Sequence, residues 1–327
     1  MNEQSAQKIF MERAIEAAKK GEGFVHPNPL VGAVIVKDGK IIAEGYHHNY
    51  GNLHAERDAI KNAKEKNIDL KGAELYVTLE PCCHFGKQPP CTHAITEEKF
   101  SRVIIGSRDP NPLVNGKGVS FLRENGIEVV QDFMKKECDE LNEIFFHYVQ
   151  NKTPYVIVKY AVTADGLTAT SAGESKWITN EKARLNVHKT RSNVMAVASG
   201  IGTVLKDDPM LNCRLEGNHH QPVRIVLDTN LSLPVNSKLA ESASEIPVMV
   251  FCSPFADKSK KEQLEKLSVE VLESPLNDEG KISLAYVLKI CGEKNIDSIL
   301  VESGGALNSS LFFENEKCLV NELQLYV

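Results

Sequence analysis

The chain predicts two α/β domains in succession, residues 1–150 and 151–327. Three observations carry this. Short apolar runs alternate with helical segments along the whole length. A polar stretch with a proline, Asn151-Lys152-Thr153-Pro154, interrupts the alternation near the middle. A length of 327 residues is enough for two separate cores.

In the first half, residues 5–20 place Ile9, Phe10, Ala14, Ala17 and Ala18 on one helical face and stop at Gly21. Leu30 to Val36 is an apolar strand, and Lys37-Asp38-Gly39-Lys40 turns it back into Ile41-Ile42-Ala43. His54 to Lys66 reads as a helix with Ala55, Ala59, Ile60 and Ala63 inward. Leu75 to Leu79 is a buried strand that delivers Pro81-Cys82 at its carboxyl end. Thr92 to Lys99 is helical, Val103–Ile105 and Ile127–Val130 are strands, and one long helix from Met134 to Val149 closes the half. This order predicts a three-layer α/β domain.

The second half opens on the strand Tyr155–Lys159. Strands follow at Val194–Ala198, Val223–Leu227, Val248–Phe251 and Ser298–Val301, alternating with helices near 180–190, 258–267 and 281–294. The last residues, Leu323 to Val327, have a strand pattern, so this domain is expected to lack its C-terminal end.

A hydrophobic content of 42% and a charged content of 25% describe an ordinary globular protein. A net charge of -6 speaks against a general nucleic-acid binder, while leaving room for a local basic pocket for a phosphate. No apolar run approaches membrane-spanning length, and Met1-Asn2-Glu3-Gln4 lacks the character of a signal peptide, so the expected address is the cytoplasm, with no membrane partner. Eight cysteines without a secretory signal read as reduced thiols. Five of them, Cys138, Cys213, Cys252, Cys291 and Cys318, are expected to be small buried hydrophobes.

The other three cysteines cluster. His54-Ala55-Glu56 is followed by Pro81-Cys82-Cys83-His84 and by Pro89-Pro90-Cys91. One imidazole and two thiolates can hold a zinc ion and leave its fourth position for water, whose pKa the metal lowers to about 7. A carboxylate two residues after the histidine can shuttle the proton that hydrolytic deamination of an aminopyrimidine requires. Alone, His-Ala-Glu is more often an ordinary helix start and the cysteines packing residues; the combination with Pro-Cys behind a buried strand displaces that view. The spacing departs from Pro-Cys-x-x-Cys by an insertion, so Cys83, His84 and His93 stand as rival ligands.

The insertion carries a resemblance. Glu80-Pro81-Cys82-x-His84-x-Gly86-Lys87-x-Pro89-Pro90-Cys91, with His26-Pro27-Asn28-Pro29-x-Val31-Gly32, Gly45-Tyr46-His47 and Asp109-Pro110-Asn111, resembles the deaminase half of the bifunctional RibD family of riboflavin biosynthesis. The resemblance implies a cytidine-deaminase-like fold, zinc on His54, Cys82 and Cys91, Glu56 as proton shuttle and Cys83 as a bystander. It further implies that Asn28, His47, Lys87 and Asp109 line the substrate pocket.

In the second half, Glu302-Ser303-Gly304-Gly305-Ala306 follows a strand and precedes a helix, an arrangement that lets a backbone approach a phosphate, or that forms a plain tight turn. The segments Asp165-Gly166, Ser175-x-Trp177-Ile178-Thr179, Arg191, Gly202-Thr203-Val204-x-x-Asp207-Asp208-Pro209-x-Leu211, Arg214 and Arg224-x-Val226-Leu227-Asp228 are similar to the reductase half of the same family. That similarity implies a dihydrofolate-reductase-like fold and NADPH. Ala161, Trp177, Thr203, Asp207, Thr229 and the Gly304–Ser310 loop, including Gly305, would contact the cofactor. Ser175, Arg191, Leu211, Arg214 and Glu302 would contact substrate, with Lys159 beside the reacting sugar carbon. Two arginines in a net-negative chain suit a ribose phosphate.

The expectation is therefore a homo-oligomeric enzyme with Zn2+ and NADPH that acts on a small phosphorylated pyrimidine and not on nucleic acid. Three alternatives remain at this point: a nucleic-acid editing deaminase, a closed zinc-stabilised binding module, and an active deaminase beside a reductase disabled by truncation.

Overall fold

The computed structural model describes residues 3–85, 89–112, 114–168, 178–314 and 317–327, with the side chains of residues 3 and 4 left aside. The chain divides into two units, Met1–Gln150 and Asn151–Val327.

The first unit runs α1 (Glu3–Lys19), β1 (Gly32–Lys37), β2 (Lys40–Tyr46), α2 (Ala55–Glu65), β3 (Glu74–Leu79), α3 (Cys91–Glu97), β4 (Arg102–Ser107), α4 (Lys117–Glu124), β5 (Glu128–Val130), α5 (Lys135–Glu140) and α6 (Glu143–Asn151). Its five strands lie in the order β2-β1-β3-β4-β5. β1 is antiparallel to β2 and β3, and β3, β4 and β5 are parallel. Side chains alternate between two cores, as the strand period of two requires. Ala33, Ile35, Leu75, Val77, Val103 and Ile105 meet residues of α2, α3 and α4 on one face. Val34, Val36, Tyr76 and Ile104 meet Met11 and Ala14 of α1 and Cys138 of α5 on the other. At Gly45 a Cβ would lie 2.2 Å from the backbone nitrogen of Ala59, so α2 rests directly on the backbone of β2.

Two expectations need correction here. Ile9 is 47% exposed and Met11 is fully buried in its place, because the buried series Met11, Ala14, Ala18 is the one that faces the sheet. The long closing helix is two helices, broken around Asn142. Its carboxamide accepts from the Leu30 backbone N–H at 2.8 Å and donates to the Leu30 carbonyl at 2.9 Å, while its own carbonyl starts α6 by accepting from Phe146. The Asn142 carboxamide is satisfied by the Leu30 backbone, so a tertiary contact holds the break.

The second unit runs β6 (Tyr155–Ala161), α7 (Glu181–Asn193), β7 (Ala196–Gly200), α8 (Ile201–Asp207), β8 (Val223–Leu227), α9 (Lys238–Glu241), β9 (Val248–Cys252), α10 (Lys258–Lys266), β10 (Val269–Glu273), α11 (Leu284–Glu293), β11 (Ser298–Val301), α12 (Gly305–Phe313) and β12 (Glu322–Tyr326). The seven strands are all parallel, in the order β10-β9-β8-β7-β11-β6-β12. Helices cover the sheet from both sides, with Val204, Leu239 and Leu264 on one and Leu284, Val287, Cys291 and Leu311 on the other. Side chains of Asn180, Ser237, Asp257 and Ser283 cap the N-termini of α7, α9, α10 and α11. α8 and α12 begin instead at Gly200 and Gly304, without a capping side chain. Of the five scattered cysteines four are buried, but Cys318 is exposed, since it lies in the irregular stretch before β12. Among the described residues no helix is long and apolar enough to cross a membrane.

Replacing Asn142 with alanine removes both bonds to Leu30. The variant is expected to lose about 1–3 kcal/mol of stability, seen as a lowered urea midpoint, with helix content retained.

Candidate active sites

Three elements of the first unit, α2, β3 and α3, converge on one cavity. His54 is the residue before α2, where its extended backbone (φ -72°, ψ 158°) turns the ring inward, and Glu56 lies in the first turn. Cys82 follows the carboxyl end of β3, and Cys91 opens α3. The His54 Nδ1 atom lies 3.5 Å from Cys82 Sγ and 3.4 Å from Cys91 Sγ. Tetrahedral zinc with bonds of about 2.0 Å to nitrogen and 2.3 Å to sulfur separates such N and S atoms by about 3.5 Å, so the donor set fits this metal. All three ligand atoms lie within 4.8 Å of one another, and among the described residues no other His, Cys or carboxylate group forms such a cluster. The rivals fall away: His93 stacks on Phe121 at a ring separation of 4.9 Å, and Cys83 and His84 stand outside the cluster.

Electrostatics match the geometry. The Cys91 thiol donates to Cys82 and, with His54, pulls the Cys82 thiol down to about 4 despite its burial. The same contact pushes Cys91 up, so the metal-free pair shares one proton. Burial pushes the Glu56 carboxyl above the usual carboxylate range, and the Cys82 thiolate adds to this. A raised carboxyl beside a metal site is suited to holding and returning a proton.

A cavity of about 280 Å³ opens onto this centre, and Asn28, His47 and Asp109 line it as the sequence implies. His47 donates from Nδ1 to the Leu53 carbonyl at 2.9 Å, and its Nε2 therefore accepts from the Asn28 amide at 3.1 Å. Burial lowers its pKa, which keeps the ring neutral. Lys87 lies outside the described residues. His84 and Asn111 also line the cavity, and His84 Nδ1 is buried without a protein partner. Neither had a substrate-binding signal beyond its place in a motif.

In the second unit a cavity of about 1020 Å³ lies along the carboxyl ends of the parallel strands, the usual position for a ligand in such sheets. Glu302, the residue after β11, accepts from Arg191 Nε and faces Lys159 Nζ at 3.7 Å. Burial drives its carboxyl upward, but the Arg191 charge and hydrogen bond, with Lys159, outweigh this and hold it below the usual range. Lys159, Ala161, Arg191, Thr203, Asp207, Leu211, Thr229, Glu302, Gly304 and Gly305 all line the cavity. Leu211 does so with φ at 49°, a conformation that a leucine seldom adopts away from functional sites. Arg214 is exposed and stands off the wall, held by His188 Nδ1 at its backbone N–H and by Asn212 Oδ1 at its guanidinium. Ser175 and Trp177 lie outside the described residues. Gly304 is the N-cap of α12 and Gly305–Ser310 its first turns, rather than a loop. A Cβ at Gly304 or Gly305 would meet nothing of the protein within 4 Å, so packing does not require these glycines, and they suit a cradle for a cofactor phosphate. Arg224 and Asp228, from a matched motif, are buried scaffolding: Arg224 is bonded to Ser242 and the Ile246 carbonyl, and Asp228 to the Leu233 N–H.

Comparison with known proteins accounts for both halves. Residues 4–107 match the cytidine and deoxycytidylate deaminase zinc-binding region, and residues 154–327 match the RibD C-terminal domain. The chain belongs to the RibD family. It is 49% identical over 318 residues to riboflavin biosynthesis protein RibD of Actinobacillus pleuropneumoniae, covering 97% of this chain and 82% of that one. It is 42% identical to RibD of Bacillus amyloliquefaciens, covering 98% and 84%. Among solved structures, the diaminohydroxyphosphoribosylaminopyrimidine deaminase/5-amino-6-(5-phosphoribosylamino)uracil reductase of Thermotoga maritima is 43% identical with a TM-score of 0.84, covering 100% of this chain and 92% of that chain. Acinetobacter baumannii RibD is 38% identical with a TM-score of 0.86, covering 98% and 86%. The expected fold classes, cytidine-deaminase-like and then a reductase domain of this family, hold.

Asp109 makes the stability of the first unit depend on pH. Its burial outweighs the Asn111 N–H and pushes its carboxyl up to about 6. The stability this group contributes is complete below the unfolded value of about 4 and is lost as pH rises through the folded value, because the unfolded chain releases the proton first. At about 1.4 kcal/mol per pH unit, the ionised group costs the metal-free protein about 3 kcal/mol at neutral pH. Asp109→Asn is expected to raise the urea midpoint of the metal-free protein at pH 7 but not at pH 3.5, and to slow deamination of the loaded protein.

Proposed function

We propose that this chain is a bifunctional enzyme of riboflavin biosynthesis. Its first unit, residues 1–150, removes the 2-amino group of 2,5-diamino-6-ribosylamino-4(3H)-pyrimidinone 5′-phosphate as ammonia. Its second unit, residues 151–327, reduces the ribosyl group with NADPH to give 5-amino-6-ribitylamino-uracil 5′-phosphate. The observation that carries the reading is the zinc-sized triangle of His54, Cys82 and Cys91 over a buried Glu56, on a chain whose other unit is that family's reductase domain.

His54, Cys82 and Cys91 would hold a zinc ion, which when bound would make water a strong nucleophile at neutral pH. Glu56 takes the proton that water gives up and returns it to the departing amine nitrogen. Asn28 and neutral His47 form a fixed polar wall that orients the ring, and Asp109 accepts from a ring or amino N–H once ionised. In the second unit Ala161, Thr203, Asp207, Thr229, Gly304 and Gly305 would hold NADPH, which when bound would supply hydride to the sugar carbon. Lys159 polarises that carbon, Arg191 holds Glu302 ionised and in place, and Arg214 beside the cavity favours a phosphate. The net charge of -6 supports a small substrate over nucleic acid. The cytoplasm remains the expected site of action. A homo-oligomer remains the expected assembly.

The test is to add the diaminopyrimidine ribosyl phosphate and NADPH to zinc-loaded protein and follow ammonia and absorbance together. Both signals are expected. Glu56→Gln should lower ammonia release about 100-fold or more while bound zinc stays at one per chain. Absence of ammonia from the unmutated protein would overturn the substrate assignment.

A further inference from the structure

The donor triangle of the first unit joins two segments of chain, for His54 and Cys91 stand 37 residues apart. His54 and Glu56 belong to the start of α2, whereas Cys91 opens α3 directly behind Pro89 and Pro90. Two consecutive prolines offer carbonyls but no N–H groups, so this stretch has acceptors and no backbone donors of its own. Pro90, the N-cap residue of α3, gives the helix no side-chain cap either. Whatever fixes the approach to Cys91 must donate to it from another element.

Arg57 does so. It follows Glu56 on α2 and is half-buried. Its Nε donates to the Pro89 carbonyl at 3.0 Å, and its Nη2 donates to the Pro90 carbonyl at 3.2 Å. A planar guanidinium that spans two successive carbonyls sets direction as well as distance, which the point charge of a lysine does less well. A cation beside a helix N-terminus opposes the helix dipole, so the stability of α3 does not account for its place. On its other side Cys91 faces Cys82: the Cys91 N–H reaches Cys82 Sγ at 3.4 Å, and the Thr92 N–H donates to the Cys82 carbonyl at 3.2 Å. Cys91, fully buried, is therefore tied to the segment after β3 by backbone donors and to α2 by Arg57.

We propose that Arg57 is a positioning residue for the metal centre, which by tying Pro89 and Pro90 to α2 holds Cys91 Sγ within reach of the ion that His54 binds. The inference rests on the reading of His54, Cys82 and Cys91 as zinc ligands. The test measures the zinc dissociation constant by competition with a chromophoric chelator, in the unmutated protein and in Arg57→Ala, Arg57→Gln, Arg57→Lys and Arg13→Ala. The last removes a guanidinium on α1 that pairs with Glu44 and Glu16 instead. Arg57→Ala should weaken zinc binding about 10- to 100-fold, and Arg57→Lys should recover part of the loss. Arg57→Gln, too short to span both carbonyls, should fall with the alanine variant and decides the matter if that variant does not fold. Arg13→Ala should leave the constant unchanged. Unchanged zinc binding in the folded Ala or Gln variant, or an equal loss in Arg13→Ala, would overturn the assignment. If the unmutated protein held no zinc, the ligand reading itself would fail and take this inference with it.

Discussion

Each unit organises its chemistry around a glutamate drawn away from solvent in the first position after an inner strand, buried in one unit and half-buried in the other. Glu80 follows β3 and Glu302 follows β11. The backbone of each joins the neighbouring strand: the Glu80 N–H donates to the Ser107 carbonyl, and the Glu302 N–H to the Ala198 carbonyl. A carboxylate in such a place must be compensated, because burying an uncompensated charge costs several kcal/mol. That requirement fixes what surrounds it, and the surroundings are the site.

The two units compensate differently. Glu80 accepts from the backbone N–H groups of Gly116, Gly118 and Val119, which ties the end of β3 to the start of α4. No other side-chain charge is needed, and Cys82, two residues on, inherits a fixed position. Glu302 uses cations instead, Arg191 and Lys159. Backbone amides make a static anchor suited to holding a metal ligand. Side-chain cations can exchange partners, which suits a site where a phosphorylated sugar arrives and leaves.

Much of this was legible in the sequence. The order of elements in the first unit follows from runs of Val, Ile and Leu between turn residues, and the metal triangle from His54, Glu56, Cys82 and Cys91 joined to Pro81. What was hidden depends on non-local geometry. Met11 rather than Ile9 faces the sheet because the crossing of α1 over β1 sets the helix rotation, which periodicity alone leaves free by a residue or two. Asn142 breaks a helix through a bond to Leu30, 112 residues away, and no local signal marks that partner. The short elements α8, α9 and β10 were missed because four to seven residues carry too little periodicity to register. Asn111 and His84 reach the first cavity through loop conformation, and Lys281 reaches the second through the hairpin between β10 and α11.

The contact at Gly45 sets a length scale for the first centre. With no side chain between them, α2 and β2 touch backbone to backbone, and α2 carries Glu56 while the residue before it is His54. The depth at which the proton-carrying carboxylate sits relative to the two sulfurs is therefore gauged by an absent methyl group. A single carbon there would work as a shim, lifting one wall of the reaction chamber while the opposite wall, anchored through Glu80, stayed where it was.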